Sequence, residues 1–396
     1  MLVAIIEWVE MLVRWLHVIA GIAWIGSSFY FVFLDSSLRR RPDLAEGVGG
    51  ESWQVHGGGF YHMQKYMVAP AAMPAELHWF KWEAYFTWLS GFALLILIYY
   101  IGADLYLIDR AALDISAGTA IGLSVVSLAA GWLIYDRLCK SPLGRNDGAL
   151  SIVGFVLLVA AGWAYTHAFG GRGAYVHMGA LIGTMMVANV FFVIIPNQKK
   201  TVAAMIAGDT LDPELGRSAK QRSVHNNYLT LPVLFVMISG HYPVTFGHEW
   251  NWLILAGIMV VGGVIRHFFN LRNQGQGDKW WLWGIAALLM IAIIWFTSRQ
   301  PERLVDADDV DFTQVRQIIA TRCTVCHSVS PTFEGIDKAP KDVVIDTVED
   351  IRREIPRIRA QAVVTDAMPP GNASEMTKTE RNVLADWIAA GAPTEE

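Results

Sequence analysis

Eight apolar stretches fill about the first three hundred residues of this 396-residue chain, and they restrict it to one class of architecture. They lie near residues 9–34, 84–101, 118–135, 150–168, 174–195, 228–246, 252–269 and 281–297. A helix needs about 20 mostly apolar residues to cross a hydrocarbon core roughly 30 Å thick. In lipid, backbone N–H and C=O groups have to be paired inside the segment, so each stretch is predicted as a transmembrane helix. Composition agrees: 54% of residues are hydrophobic and 17% charged, against about 25% charged in an ordinary soluble domain. Glu7, Glu10 and Arg14 interrupt the first stretch and no small-residue cleavage site follows promptly, so it is expected to be retained rather than removed as a signal.

The loops orient the bundle. Loops one, three, five and seven hold 5, 3, 5 and 2 Lys and Arg residues, whereas loops two, four and six hold 1, 1 and 0. Basic loops stay in the cytoplasm. The N-terminus is therefore expected outside and, after eight crossings, the C-terminus too.

The remaining segment differs in kind. From residue 301 onward 18 acidic residues face 11 basic ones, so a tail near −7 follows a body near +2. Two domains are predicted, 1–300 in the membrane and 301–396 beyond it. The tail contains Thr321-Arg-Cys-Thr-Val-Cys-His-Ser328. C-x-x-C-H is the pattern of covalent haem attachment, with Cys323 and Cys326 as the thioether positions and His327 as proximal iron ligand. The competing readings are a chance match and a thioredoxin-type redox pair. Helical segments before the motif and at the chain end predict a small class I cytochrome c domain. A methionine as second axial ligand suits electron transfer at raised potential. Met368, in Ala-Met-Pro-Pro, is the first candidate because the prolines hold the chain extended; Met376 is the second. Bacterial haem attachment happens on the outer side, in agreement with the loop charges. The third cysteine, Cys139, lies in a short polar loop and is read as an unpaired thiol.

Ionisable residues inside spans are functional candidates by default. His17, His167, His177 and His241 all fall in the outer half and would serve to ligate a haem b or a metal; the alternative is interface histidines bonded to neighbours. A second concentration lies on the cytoplasmic side. His62, Gln64, Lys65 and His78 sit among aromatic residues in the long first loop, Asn227 ends the fifth, and Arg266 ends the seventh span. Amide, imidazole and cationic donors among flat rings suit a planar anionic heterocycle, although the same residues also form ordinary interfacial belts. Nothing is basic enough to suggest nucleic acid.

The segments GGGFYHMQKYMVAPAAMPAELHWFKWEAYFTWLSGF, HMGALIGTMMVANVFFVIIPNQKK and SVHNNYLTLPVLFVMISGHYP resemble the bacterial membrane-bound urate oxidase (PuuD) family, including its C-terminal cytochrome c. The similarity covers both domains in order. It implies oxidation of urate to 5-hydroxyisourate in purine degradation, with electrons leaving through the cytochrome instead of reducing oxygen to peroxide. It carries over onto Cys323, Cys326, His327 and Met368. A shorter likeness, Leu16-His-Val-Ile-Ala-Gly-Ile-Ala-Trp24, is similar to the first helix of HemJ-type protoporphyrinogen oxidases and implies His17 as a haem ligand. In such a reaction Lys65 or Arg266 would partner the anion, Gln64 or Asn227 would read the purine edge, and His62 or His78 would act as base. Because the core is about 30 Å thick, a cytoplasmic urate site needs a bridging cofactor, or else the pocket lies in the outer half. Expected partners are urate, membrane lipid and a downstream cytochrome or terminal oxidase. The expected location is the bacterial inner membrane, with the haem domain in the periplasm. Two other classes compete: a quinol-oxidising subunit that reduces cytochrome c, and a transporter with a redox-sensing cytochrome.

Overall fold

The computed structural model describes residues 2–70, 72–298 and 311–394. The domain boundary expected at 300/301 lies outside the described residues. Helices dominate throughout. The body contains α1 (Leu2–Ser37), α2 (Trp82–Tyr100), α3 (Ala117–Lys140), α4 (Asp147–Ala168), α5 (Gly171–Ala207), α6 (Pro213–Ser239), α7 (Asn251–Asn273) and α8 (Trp281–Thr297). Six of them, α1 to α5 and α7, are long and apolar enough to cross a membrane; α8 is apolar but shorter.

Local chemistry sets the helix ends. Ser116, Asn146 and Asp212 cap α3, α4 and α6 by accepting from backbone N–H groups one turn in, and Pro213 occupies the first turn of α6. Several helices outrun the apolar stretches that predict them. α3 continues to Lys140, so Cys139 sits buried in its last turn rather than in a loop. α6 begins 15 residues before its apolar stretch, because the polar side chains of its first half are paired inside the bundle.

α5 is the axis of the body. Tyr175, His177, Met178 and Ile182 on it are fully buried, packed with Leu107, Phe169, Val236 and Leu255 from its neighbours. The outward faces of α3, α4 and α8 show large apolar side chains such as Val126, Ile152, Leu288 and Ile291. Such faces suit a hydrocarbon surround. α2 ends in a wider π turn at Leu95–Tyr100, and α5 carries one in its middle at Asn189–Ile194, a departure that often marks functional positions.

The first loop contains the one departure from an all-helical chain among the described residues. Strands β1 (Val48–His56) and β2 (Gly59–Tyr66) form an antiparallel hairpin. Gly57 and Gly58 turn it, both at positive φ (59° and 78°), which glycine adopts without a steric penalty.

The C-terminal segment builds its own core from α9 (Phe312–Arg322), α10 (Val348–Ile358) and α11 (Lys378–Ala389). Val315, Leu384 and Trp387 are fully buried, and the Phe312 and Trp387 rings stack at 5.9 Å. This unit rests on one end of the bundle. The Asp366 amide donates to the Gly247 carbonyl at 3.0 Å, and Ala367 packs against the body's core. That end, where α2, α4 and α6 finish and α3, α5 and α7 begin, is called the docking end below. The opposite end is the far end.

Candidate functional site

The stretch His225-Asn-Asn-Tyr228 on α6 is the polar hub of the far half. Successive helical residues point about 100° apart, so each of the four meets a different neighbourhood. Tyr135 on α3 bonds His225 Nδ1 at 2.7 Å; Asn226 accepts from Asn189 at 2.8 Å and donates to the Met186 carbonyl, both on α5. Asn227 accepts from Arg266 Nε at 2.9 Å, and the Tyr228 hydroxyl meets His267 Nδ1 at 2.7 Å, both on α7. One turn earlier, Arg222 forms a buried ion pair with Asp136 at 2.8 Å and donates to Asn189. Its guanidinium also lies over Tyr135 at 4.7 Å.

Two of the residues expected to bind an anion, Arg266 and Asn227, are thus brought together. Arg266 is buried, and its guanidinium stacks 3.9 Å from the centre of the Phe29 ring on α1. Among the described residues no carboxylate pairs with it, and its terminal nitrogens have no protein acceptor. Two buried atoms beside it also lack partners: the Asn227 amide nitrogen and the side-chain oxygen of Asn270, one helical turn beyond Arg266. Buried polar atoms are nearly always paired. Here two buried amide atoms, one donor and one acceptor, are left unpaired beside a guanidinium whose terminal nitrogens meet no protein acceptor among the described residues. The Phe29 ring lies against one face of the guanidinium and leaves its nitrogen edge as the side on which a ligand could bond. The set matches a flat anion carrying both carbonyl and N–H edges. Asn270 closes the run Arg266-His-Phe-Phe-Asn270 at the end of the seventh span, whereas nothing in the sequence points to Phe29. The i, i+4 spacing of Asn270 from Arg266 was legible; the contact of Phe29 with a helix more than two hundred residues away was not.

The first-loop candidates hang from the same end. Tyr30, next to Phe29, donates to Gln54 on β1, and Lys65 on β2 pairs with Asp35 at 2.7 Å, which fixes the hairpin to the end of α1. His62 donates from Nε2 to Glu51 at 2.6 Å and stacks on Trp53 at 4.1 Å, leaving Nδ1 without a partner among the described residues. Gln64 accepts from Tyr66 at 3.3 Å. His78 is exposed, edge-on to Phe80 at 4.6 Å.

The four outer histidines do not converge. His17 donates from Nδ1 to the Thr87 carbonyl at 2.9 Å and faces Gly91 on α2. His177 is engaged at both nitrogens, donating to the Gly173 carbonyl and bonding Ser124 Oγ, each at 2.7 Å. His167 is exposed and tied to Trp163 of its own helix, and His241 is exposed beyond α6. Among the described residues no three His, Cys, Asp or Glu side chains meet in a way that would hold a metal ion. His17 has an oriented ring and a free Nε2, but these residues offer it no partner ligand. The four histidines therefore do not fit a bridging haem or metal.

In the C-terminal unit Cys323 and Cys326 follow the end of α9 and are not joined in a disulfide. His327 donates from Nδ1 to the Val343 carbonyl at 3.0 Å, which leaves Nε2 unprotonated and the ring fixed. This is how a metal-ligating histidine is normally held. Burial pushes the Cys323 thiol up to about 12, the reverse of what an attacking thiolate in a thioredoxin-type pair requires. Met368 packs against this unit's core; Met376 lies inside that core, its backbone clasped by Asn372.

Six apolar helices long enough to span a membrane, with a buried cationic and amide cluster between them, define a multi-helix membrane-type protein. The chain belongs to the urate oxidase N-terminal family, whose model matches residues 3–297. No curated protein and no solved structure matches it. Membership links the chain to urate and supports an oxidoreductase acting on it.

Proposed function

We propose that the protein is a membrane-bound enzyme of purine degradation that oxidises urate to 5-hydroxyisourate and passes the electrons to a covalent haem c. The observation that carries this reading is the buried Arg266 fork, unpaired by any carboxylate among the described residues, beside the unpaired amide groups of Asn227 and Asn270. Urate at neutral pH is a flat monoanion. Arg266 would hold two adjacent acceptors on its edge, Asn227 would donate to a third, and Asn270 would accept from a ring N–H. The two buried amide atoms would gain partners that they otherwise lack, and the guanidinium would exchange hydration for charge-assisted bonds.

The half-reaction balances as follows: urate monoanion and one water give neutral 5-hydroxyisourate, one proton and two electrons. His62, held by Glu51 and with Nδ1 free, is proposed to take the proton. Cys323 and Cys326 would hold the haem, with His327 and Met368 on its iron. When bound, that haem accepts and releases one electron at a time, so each urate needs two passages. In the proposed orientation the far end faces the cytoplasm of a bacterial inner membrane and the docking end the periplasm, so the electrons cross most of the bundle, and the four histidines expected to hold a bridging cofactor do not supply that bridge. A cytochrome or terminal oxidase of the respiratory chain removes the electrons.

The test is an anaerobic optical spectrum of the purified, oxidised protein before and after urate is added. Reduction of the c-type α-band is expected. A spectrum that stays oxidised with urate but is reduced by a quinol would replace this reading with a quinol-oxidising subunit.

A further inference from the structure

We infer that the strip 365–372 is the intramolecular contact through which electrons enter the C-terminal unit, and that Gly247 and Gly371 position it. The inference rests on the proposed urate and haem reading. Its basis is that the bundle grips this strip on both sides of Met368. On one side the Asp366 amide bonds the Gly247 carbonyl at 3.0 Å, and a Cβ placed on Gly247 would fall 2.5 Å from Thr365 Cβ. On the other, Gly371 lies at φ +55°, where a Cβ would fall 2.4 Å from the Ile108 carbonyl oxygen. Ala367 packs into the core of the bundle while its neighbour Met368 packs into the core of the C-terminal unit. The proposed sulfur ligand is therefore one residue away from the body.

What lies beneath the contact is also suggestive in chemistry. The Gly170 amide bonds the Leu107 carbonyl at 3.0 Å, next to Ile108. Phe169 follows, almost wholly buried, with the His177 ring at 4.8 Å and the Tyr165 ring stacked at 5.8 Å. Electron tunnelling falls steeply with the gap between packed groups. Contact at glycine backbones brings the two units closer than any side chain would allow. A bulkier residue at either glycine separates them without touching the iron ligands or the far-end cluster.

The experiment uses the full-length protein in detergent, as wild type, Gly247→Val and Gly371→Ala. Gly247 has φ −88°, a conformation other residues adopt, so its variant avoids the backbone strain that a side chain meets at the positive φ of Gly371. Haem content is measured first, then hydrogen exchange at the Asp366 amide, then the anaerobic rate of haem reduction by urate and, separately, by ascorbate. The expected result in Gly247→Val is full haem content, lost protection at Asp366, unchanged reduction by ascorbate, and a fall of at least about tenfold in reduction by urate. Lost protection with a wild-type urate rate would overturn the inference, and so would protection retained in both variants. A wild-type haem that urate fails to reduce would instead overturn the urate reading itself, and the route with it.

Discussion

Arg266 donates from Nε to Asn227 at 2.9 Å, joining α7 to α6 at the point where the rest of the guanidinium is left without a protein acceptor. Asn227→Asp tests what that freedom is for. A carboxylate there would pair with Arg266 and cancel its charge, so KM for urate should rise more than in Asn227→Ala. Arg266→Ala should lower kcat/KM by about 10²- to 10³-fold through loss of a charge-assisted fork, and Arg266→Lys should recover little because it restores charge without the fork. Steady-state kinetics at matched haem content measures this; equal effects of Asp and Ala at position 227 would argue against an anion at the site.

The two methionines of the C-terminal unit separate by spectrum and by stability. Met368→Ala is expected to remove the low-spin axial signature while the haem stays covalently attached. Met376→Ala should leave the spectrum intact and destabilise the unit by about 2–5 kcal/mol, as truncation of a buried side chain does. Cys323→Ser/Cys326→Ser should abolish the haem stain on a denaturing gel. The reverse assignment would show as a spectral change in Met376→Ala.

The Arg222 and Asp136 ion pair is expected to respond asymmetrically. Removing Arg222 leaves Asp136 paired with Lys140 at 2.7 Å. Removing Asp136 leaves a buried guanidinium with only the amide oxygen of Asn189 and the Asp136 backbone carbonyl. Asp136→Leu should therefore cost about 3–5 kcal/mol and Arg222→Met less, while the double variant should recover much of the loss. Thermal unfolding in detergent reads all three, and equal losses for the two single changes would contradict the arrangement.

Acid sensitivity of the C-terminal unit follows from Glu380. Burial alone would raise its carboxyl, but hydrogen bonds from the Thr377 backbone and hydroxyl and from Arg322 at 3.0 Å more than offset that and hold it below the ordinary value. The folded state then binds fewer protons than the unfolded one, so the contribution is present above the unfolded pKa of about 4.3 and is lost as pH falls through the folded value. Melting followed by hydrogen exchange of the α9, α10 and α11 amides should show wild type losing midpoint between roughly pH 5 and 3, with Glu380→Gln lower at pH 7 and flatter below.

Much of the helical framework was legible because apolar runs leave the backbone one way to pair itself. Gly57-Gly58 between alternating residues is a turn signal, but the His, Gln and Lys side chains around it suit ligand contact equally well, which masks the hairpin. The polar start of α6 looks like loop in any local window, since its side chains are paired only by α3, α5 and α7. Span depth placed four histidines at one level but not on one side: His17 turns to α2, His177 to α3, and His167 outward. Arg266 and Asn227 were legible as residue types suited to an anion, yet their direct bond depended on helix rotation.

Arg266 lies about 22 Å along α7 from its docking-end start, at 1.5 Å of rise per residue, while Met368 sits at the docking end itself. In the proposed orientation each electron travels outward, from the negative to the positive side of an energised membrane. A full crossing is favoured by about 2.3 kcal/mol per 100 mV. Purine oxidation would then be electrogenic in the dissipative sense, proceeding further in energised vesicles than in leaky ones and drawing down the gradient that its electrons later help to rebuild.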